Sequence, residues 1–277
     1  MARDFRQGNG SESGIGPQGR LRARHRTLFL SDFHLGARGC AATEILTFLS
    51  ENHADTIYLV GDILDLWHPL MAHWSPTHDA ILADLLARAQ SGVRIVYLPG
   101  NHDHAVRKHY GHHLGCIEVA EQALHEAADG RRYLVLHGDV ADGRILRSHI
   151  MTRLGSRIDA ALRLIDARLS DRCEGPTLIA RFLARYNAFL QFGDRYRAKL
   201  LRRAQDAGAD GVICGHSHIA ALETCDGRVY ANCGDWVDSL TAVSERADGG
   251  LQLLALQRET ARVSVVSGLY DALPERA

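Results

Sequence analysis

Short apolar runs that break off at Asp, His or Asn constrain this chain more than any other feature. Residues 28–30, 57–60 and, apart from Arg94, 93–98 are apolar, partly β-branched or aromatic, and each run stops at a polar string. Between them, residues 44–49 and 81–89 carry apolar side chains at helical spacing. Strand-like and helix-like patterns in alternation predict a sheet with parallel strands. Sites in such sheets lie at the carboxyl ends of the strands, which is where the polar strings fall. Further along, Asp129-Gly130, Asp226-Gly227 and Asp248-Gly249 each separate two strand-like runs. Asp-Gly between such runs is hairpin chemistry, so a second sheet with antiparallel pairs is expected to pack against the first. The expected fold class is α/β with mixed sheets.

Two segments break this rhythm. Residues 1–26 are rich in Gly, Ser and Arg, without the apolar run of a secretory signal, and read as a disordered tail. Residues 142–205 show no strand pattern. Ile145, Leu146, Ile150, Leu154, Ile158, Leu162, Ile165 and Leu169 recur at helical spacing, and a second helical stretch begins at Leu178 after Gly175-Pro176. That is long for a connection between a strand and a helix. The expected organisation is a core of residues 27–141 and 206–277, interrupted by a helical insertion over 142–205.

Composition excludes several classes. The formal net charge is −1, so no nucleic-acid partner is expected. The basic residues are almost all arginine, with Lys108 and Lys199 the two lysines. No stretch approaches the ~20 apolar residues that a membrane helix needs. The six cysteines show no paired C-x-x-C spacing, which fits small reduced core residues and a cytoplasmic location.

The strings themselves are Ser31-Asp32-Phe33-His34, Gly61-Asp62-Ile63-Leu64-Asp65, Gly100-Asn101-His102-Asp103 and Gly215-His216-Ser217-His218, with a separate His137-Gly138-Asp139. They supply carboxylate, imidazole and one amide oxygen. Asp32 and His34, two apart past a strand, can face one pocket if the chain turns. Asp62 offers two oxygens and can bridge two ions. Asn101 adds a neutral oxygen after Gly100, and His137, His216 and His218 complete two coordination spheres. Oxygen and imidazole donors together suit Mn²⁺ first, with Mg²⁺, Fe or Zn as alternatives. Two adjacent divalent ions usually serve phosphate ester chemistry.

In order and residue type these strings resemble the calcineurin-like metallophosphoesterase superfamily. The resemblance runs from Thr27 to about Arg258. It implies a four-layer αββα sandwich of two mixed sheets. It also implies one metal held by Asp32, His34, Asp62 and His218, and a second held by Asp62, Asn101, His137 and His216. His102 becomes the acid or phosphoryl contact, and Asp103 either orients it or caps the turn. Longer strings, residues 61–67, 97–103 and 232–236, are similar to the UDP-2,3-diacylglucosamine hydrolase branch. There the insertion would be a lid and the substrate a lipid-linked nucleotide, cut at its pyrophosphate to UMP and the diacylated sugar phosphate in lipid A synthesis. Such a substrate implies transient contact with the cytoplasmic face of the inner membrane. Asn101, His102, Arg181, Arg185 and Trp236 are the expected substrate contacts. One position departs from that branch, which carries Arg where this chain has His102.

Overall fold

The computed structural model describes residues 23–67, 73–141, 193–258 and 260–266. The alternation of side chains along each strand explains the layering. In β1 (Ala23–Leu30), Leu28 and Leu30 face one apolar cluster and Phe29 the other. In β2 (Asn52–Leu59) and the residue after it, Ile57 and Leu59 face the first cluster, Tyr58 and Val60 the second. A period of two therefore gives this sheet two buried faces.

Helices α1 (Ala42–Glu51) and α2 (Pro76–Gln90) cover its outer face through Ile45, Phe48, Leu49, Ile81 and Leu85. Helix α2 starts where the sequence lets it. Pro76 opens it, and Ser75 and His78 cap each other's backbone amides. It stops at Ser91, ahead of Gly92 at φ 100°.

The first sheet continues through β3 (Arg94–Tyr97), β4 (His113–Leu114), β5 (Ile117–Val119), β11 (Thr241–Glu245), β12 (Leu251–Gln257) and β13 (Arg262–Val265), in the order β13-β12-β11-β1-β2-β3-β5-β4. Strands β1, β2, β3 and β5 are parallel neighbours, and the others pair antiparallel. The second sheet comprises β6 (Ala123–Glu126), β7 (Arg132–Val135), β8 (Gly211–Cys214), β9 (Ala221–Cys225) and β10 (Arg228–Asn232) in the order β6-β7-β8-β10-β9. Strands β7, β8 and β10 are parallel. Each Asp-Gly predicted to turn a hairpin does so, joining β6 to β7, β9 to β10 and β11 to β12.

Phe29, Tyr58, Val96, Tyr133, Ile213 and Val243 fill the space between the sheets. Helix α3 (Gly193–Asp206) covers the far face of the second sheet with Leu200 and Ala204. The result is the expected four-layer sandwich. Two boundaries differ from the sequence reading. Strand β1 begins at Ala23 rather than Thr27, because residues 23–25 pair with residues 52–54. Helix α3 packs on the core from within the segment assigned to the insertion, since its apolar face meets the second sheet. Residues 142–192 lie outside the described residues.

Candidate metal centre

Five parallel strands, β1, β2 and β3 of one sheet and β7 and β8 of the other, deliver their carboxyl ends to one edge of the sandwich. There the backbone turns sharply. Asp32, His34, Asp62, His216 and His218 have φ of 54°, 49°, 52°, 65° and 59°. Non-glycine residues seldom occupy this region, and such strain persists only where surrounding contacts impose it. The contacts are present. Beyond their strands the first two loops remain bonded to each other, Asp32 N–H to Gly61 O at 3.0 Å, His34 N–H to Asp62 O at 2.9 Å and Leu35 N–H to Ile63 O at 2.9 Å. The turn in each loop brings alternate side chains to the same side.

Small residues make room. A Cβ on Gly100 would collide with Asp62 Oδ1 and His137 Nε2, and one on Gly215 would lie 2.5 Å from Asp32 Oδ2. Glycine at both positions is a consequence of that close approach.

Two donor groups result, side by side. Ligand atoms of Asp32, His34 and His218 lie within 4.8 Å of one another, as do those of Asp62, His137 and His216. A third overlapping group, His34, Asp62 and His102, joins them. His34 Nε2 is 3.3 Å from His218 Nε2, and Asn101 Oδ1 is 3.3 Å from His137 Nε2. All seven predicted ligand positions thus converge.

The outer atoms are fixed. His137 Nδ1 is 2.9 Å from Val60 O, so it donates there and leaves Nε2 to face the site. His218 Nδ1 meets Asp235 Oδ2 at 2.9 Å, while Asp235 Oδ1 accepts the Asp238 and Ser239 amides at 2.8 Å. Electrostatics follow the same pairing. Burial opposes charge on Asp32 and Asp62, but the facing imidazoles outweigh it and hold both carboxyls below their ordinary range. Burial likewise opposes protonation of His137, yet Asp62 pushes it up to about 10. Burial also disfavours His218⁺, and Asp32 raises it well above its ordinary value. This is a concentrated, buried demand for positive charge.

Asp32 Oδ1 shows what would meet that demand. It is buried without a hydrogen-bond partner, although His218 Nε2 is 3.2 Å away and His34 Nε2 3.7 Å away. Two imidazole nitrogens gathered beside a buried carboxylate oxygen that no hydrogen bond satisfies are arranged as they would be around a cation. The residues therefore fit divalent metal binding.

His102 lies at the mouth of the centre. Its N–H donates to Asp62 Oδ1 at 2.8 Å, and its Nε2 is 4.0 Å from Asp62 Oδ2. The expectation that Asp103 orients it is corrected. Asp65 Oδ1 stands 3.1 Å from His102 Nδ1, whereas Asp103 is fully buried and accepts the Ile63 and Gly100 amides and the Tyr97 hydroxyl. Asp103 ties its loop to the backbone of Ile63 and Gly100 and to Tyr97.

Trp236 is corrected in the same way. It is fully buried beside Phe33 and Phe48, at ring distances of 6.0 and 4.9 Å, and belongs to the core. The tryptophan at the site is Trp67, stacked on His102 at 3.9 Å. Arg181 and Arg185 lie outside the described residues. The sequence reading overlooked Asp65, Trp67 and Asp235 as site residues. All three sit inside quoted strings, so a carboxylate or tryptophan sharing a ligand's loop was the available signal.

A sequence model of the family described as calcineurin-like phosphoesterase matches residues 25–220. Three bacterial relatives are named UDP-2,3-diacylglucosamine hydrolase. The protein of Serratia proteamaculans is 36% identical over 120 residues, covering 41% of this chain and 48% of that one, so this match spans about half of the relative's length. The protein of Sodalis glossinidius is 28% identical over 237 residues, covering 80% and 95%, and that of Xanthomonas axonopodis pv. citri is 27% identical over 263 residues, covering 83% and 99%. Among solved structures, Yfce, a phosphoesterase from E. coli, aligns with a TM-score of 0.43 at 14% identity, covering 87% of this chain and 98% of that one.

Proposed function

The chain belongs to the calcineurin-like phosphoesterase family, and from that premise we propose that it hydrolyses a phosphoester or pyrophosphate bond with two divalent ions, preferentially Mn²⁺. The observation that carries this is the pair of adjacent donor groups, linked by the overlapping group of His34, Asp62 and His102. Asp32, His34, Asp62 and His218 would hold one ion, and Asp62, Asn101, His137 and His216 the other. Bound there, such ions supply a water activated at neutral pH and draw negative charge off the phosphoryl oxygens.

The residues of the chain do the rest. Asp62 would serve both ions, and Asp235 and Val60 O fix the imidazoles of His218 and His137. His102, braced by Asp65, directs Nε2 toward the same space, where its ring N–H can serve the leaving-group oxygen.

For the substrate, the names of the relatives support UDP-2,3-diacylglucosamine, with UMP and 2,3-diacylglucosamine 1-phosphate as products. The apolar periodicity of residues 145–169 supports a shelter for acyl chains ahead of α3, over 142–192, and Arg181 and Arg185 would meet phosphate there. Among the described residues no helix is long and apolar enough to cross a membrane. The enzyme would then work in the cytoplasm and reach its lipid substrate at the membrane surface. A second reading, hydrolysis of another phosphodiester or nucleotide, is supported by His102 in place of the branch's arginine.

One experiment separates the two. The Mn²⁺-loaded protein is incubated with UDP-2,3-diacylglucosamine and with its deacylated analogue, and UMP is measured. Acyl recognition predicts strong preference for the diacyl form, since each buried methylene contributes about 0.8 kcal/mol. Equal rates, or no UMP from either, remove the lipid reading and leave the second.

A further inference from the structure

We propose that Trp67 is a positioning residue for the reaction, setting through one side chain both the imidazole of His102 and the backbone carbonyl of Asn101. The indole lies against the His102 ring with centroids 3.9 Å apart and planes 17° from parallel. Its Nε1–H donates to Asn101 O at 2.6 Å. The loop returns the contact, because Leu66 N–H donates to His102 O at 3.2 Å and Trp67 N–H to Asp65 Oδ1 at 3.3 Å. The same Asp65 oxygen is 3.1 Å from His102 Nδ1. Residues 65–67 and 101–102 thus form one closed unit, with the imidazole held on a face by Trp67 and on an edge by Asp65.

The geometry has a consequence for the chemistry. An imidazole that hydrogen-bonds through Nδ1 alone can still swing about that bond, sweeping Nε2 through an arc. The indole face blocks that swing and leaves Nε2 beside Asp62. Its N–H meanwhile fixes the Asn101 carbonyl, whose residue carries the oxygen facing His137. Reacting groups misplaced by about 1 Å can lose on the order of 100-fold in rate, so one removed ring can matter without any direct contact to substrate.

This inference rests on the reading of His102 as the donor to the leaving-group oxygen. It is tested with Trp67→Leu and Trp67→Phe in the Mn²⁺-loaded protein, on bis(4-nitrophenyl) phosphate and diphenyl phosphate. The first has a leaving group stable without a proton, and the second does not. Trp67→Leu is expected to lower kcat on diphenyl phosphate by roughly 10- to 100-fold with little change in KM. The loss on the nitrophenyl ester should be far smaller, and metal content should equal that of the unaltered protein. Trp67→Phe keeps a ring over His102 and should restore most of the leaving-group response.

Proton NMR of the metal-free protein gives a readout independent of turnover. The His102 ring protons, assigned with His102→Ala, should be shifted upfield by the indole, return toward ordinary positions in Trp67→Leu and remain shifted in Trp67→Phe. Where Trp67→Leu does not fold, Trp67→Met fills similar space without a ring and carries the same expectations. Equal losses on both esters, loss of metal, or unchanged kinetics would overturn the positioning role alone. An unaltered protein inert on both esters would overturn the phosphoesterase reading first, and the role of Trp67 in a reaction with it.

Discussion

Asp62 concentrates the chemistry of this protein in two oxygens. Oδ2 lies 3.4 Å from His137 Nε2, while Oδ1 accepts the His102 N–H at 2.8 Å. Asp62→Ala removes the carboxylate proposed to serve both ions, whereas a change at a terminal position such as His218 removes one contact of one ion. Hydrolysis of an aryl phosphate ester should therefore vanish in Asp62→Ala and survive in part in His218→Ala, with bound metal falling in the same order. Full turnover in Asp62→Ala would remove the metal-site reading. His102 answers to a different test. As a donor to the leaving group it should be worth roughly 10²–10⁴-fold in turnover when replaced by Ala. Metal content, measured by elemental analysis, should stay at the wild-type value because the proposed assignment gives the ring to neither ion. Loss of metal in His102→Ala would instead make it a prop of the centre.

At the scale of elements, the two sheets are joined by more than apolar packing. Glu245 on β11 is fully buried, and its carboxylate accepts Thr27 Oγ1 from β1 at 2.7 Å and the Ala128 amide from the β6–β7 turn at 2.9 Å. Arg26 on β1 and His125 on β6 approach it at 2.6 and 2.9 Å. Burial disfavours the charge, but the bonds from His125, Thr27 and Ala128 outweigh it and carry the carboxyl from an ordinary 4.5 down to about 2. A depressed carboxyl pKa stabilises the fold above the unfolded value and loses that contribution as pH falls through the folded one. Acid unfolding should therefore lose a component between about pH 4.5 and 2. Glu245→Gln should remove that component and lower stability at pH 7 by about 1–3 kcal/mol, as buried donors lose a charged acceptor. Denaturant titrations at several pH values check both. An unchanged acid limb in Glu245→Gln would contradict the assignment.

For the whole molecule, the metal centre joins the loops after strands of both sheets, so its occupancy is coupled to the sandwich itself. Anything that binds only the folded state stabilises it by mass action, about 2.7 kcal/mol at 100 times Kd. Mn²⁺ should raise the melting temperature in a concentration-dependent way, and a chelator should reverse the rise. The rise should be absent in Asp62→Ala while that variant remains folded. A melting temperature indifferent to Mn²⁺, Mg²⁺ and Zn²⁺ alike would oppose metal binding between the sheets.

Local chemistry made much of this legible from residue order alone. Apolar runs of strand length ending at Asp, His and Asn identified β1, β2 and β3, and Asp-Gly turns identified three hairpins, because backbone preference and side-chain period act over a few residues. The convergence of the seven candidate ligand positions was legible for the same reason: each lies at a strand end, and parallel strands bring their ends to one edge. Other assignments needed the folded chain. Asp65 and Asp103 are both acidic residues in loop strings, and only the crossing of the two loops makes one the partner of His102 and the other a clamp on backbone amides. Trp67 and Trp236 each close a motif, yet packing sends one to the site and the other between Phe33 and Phe48. The start of β1 at Ala23 depends on pairing with residues 52–54, a partner far along the chain. Residue order sets which groups can bond and how the nearby backbone turns, whereas which of two like residues reaches the site depends on contacts between distant segments, and these exist only once the sheets have packed.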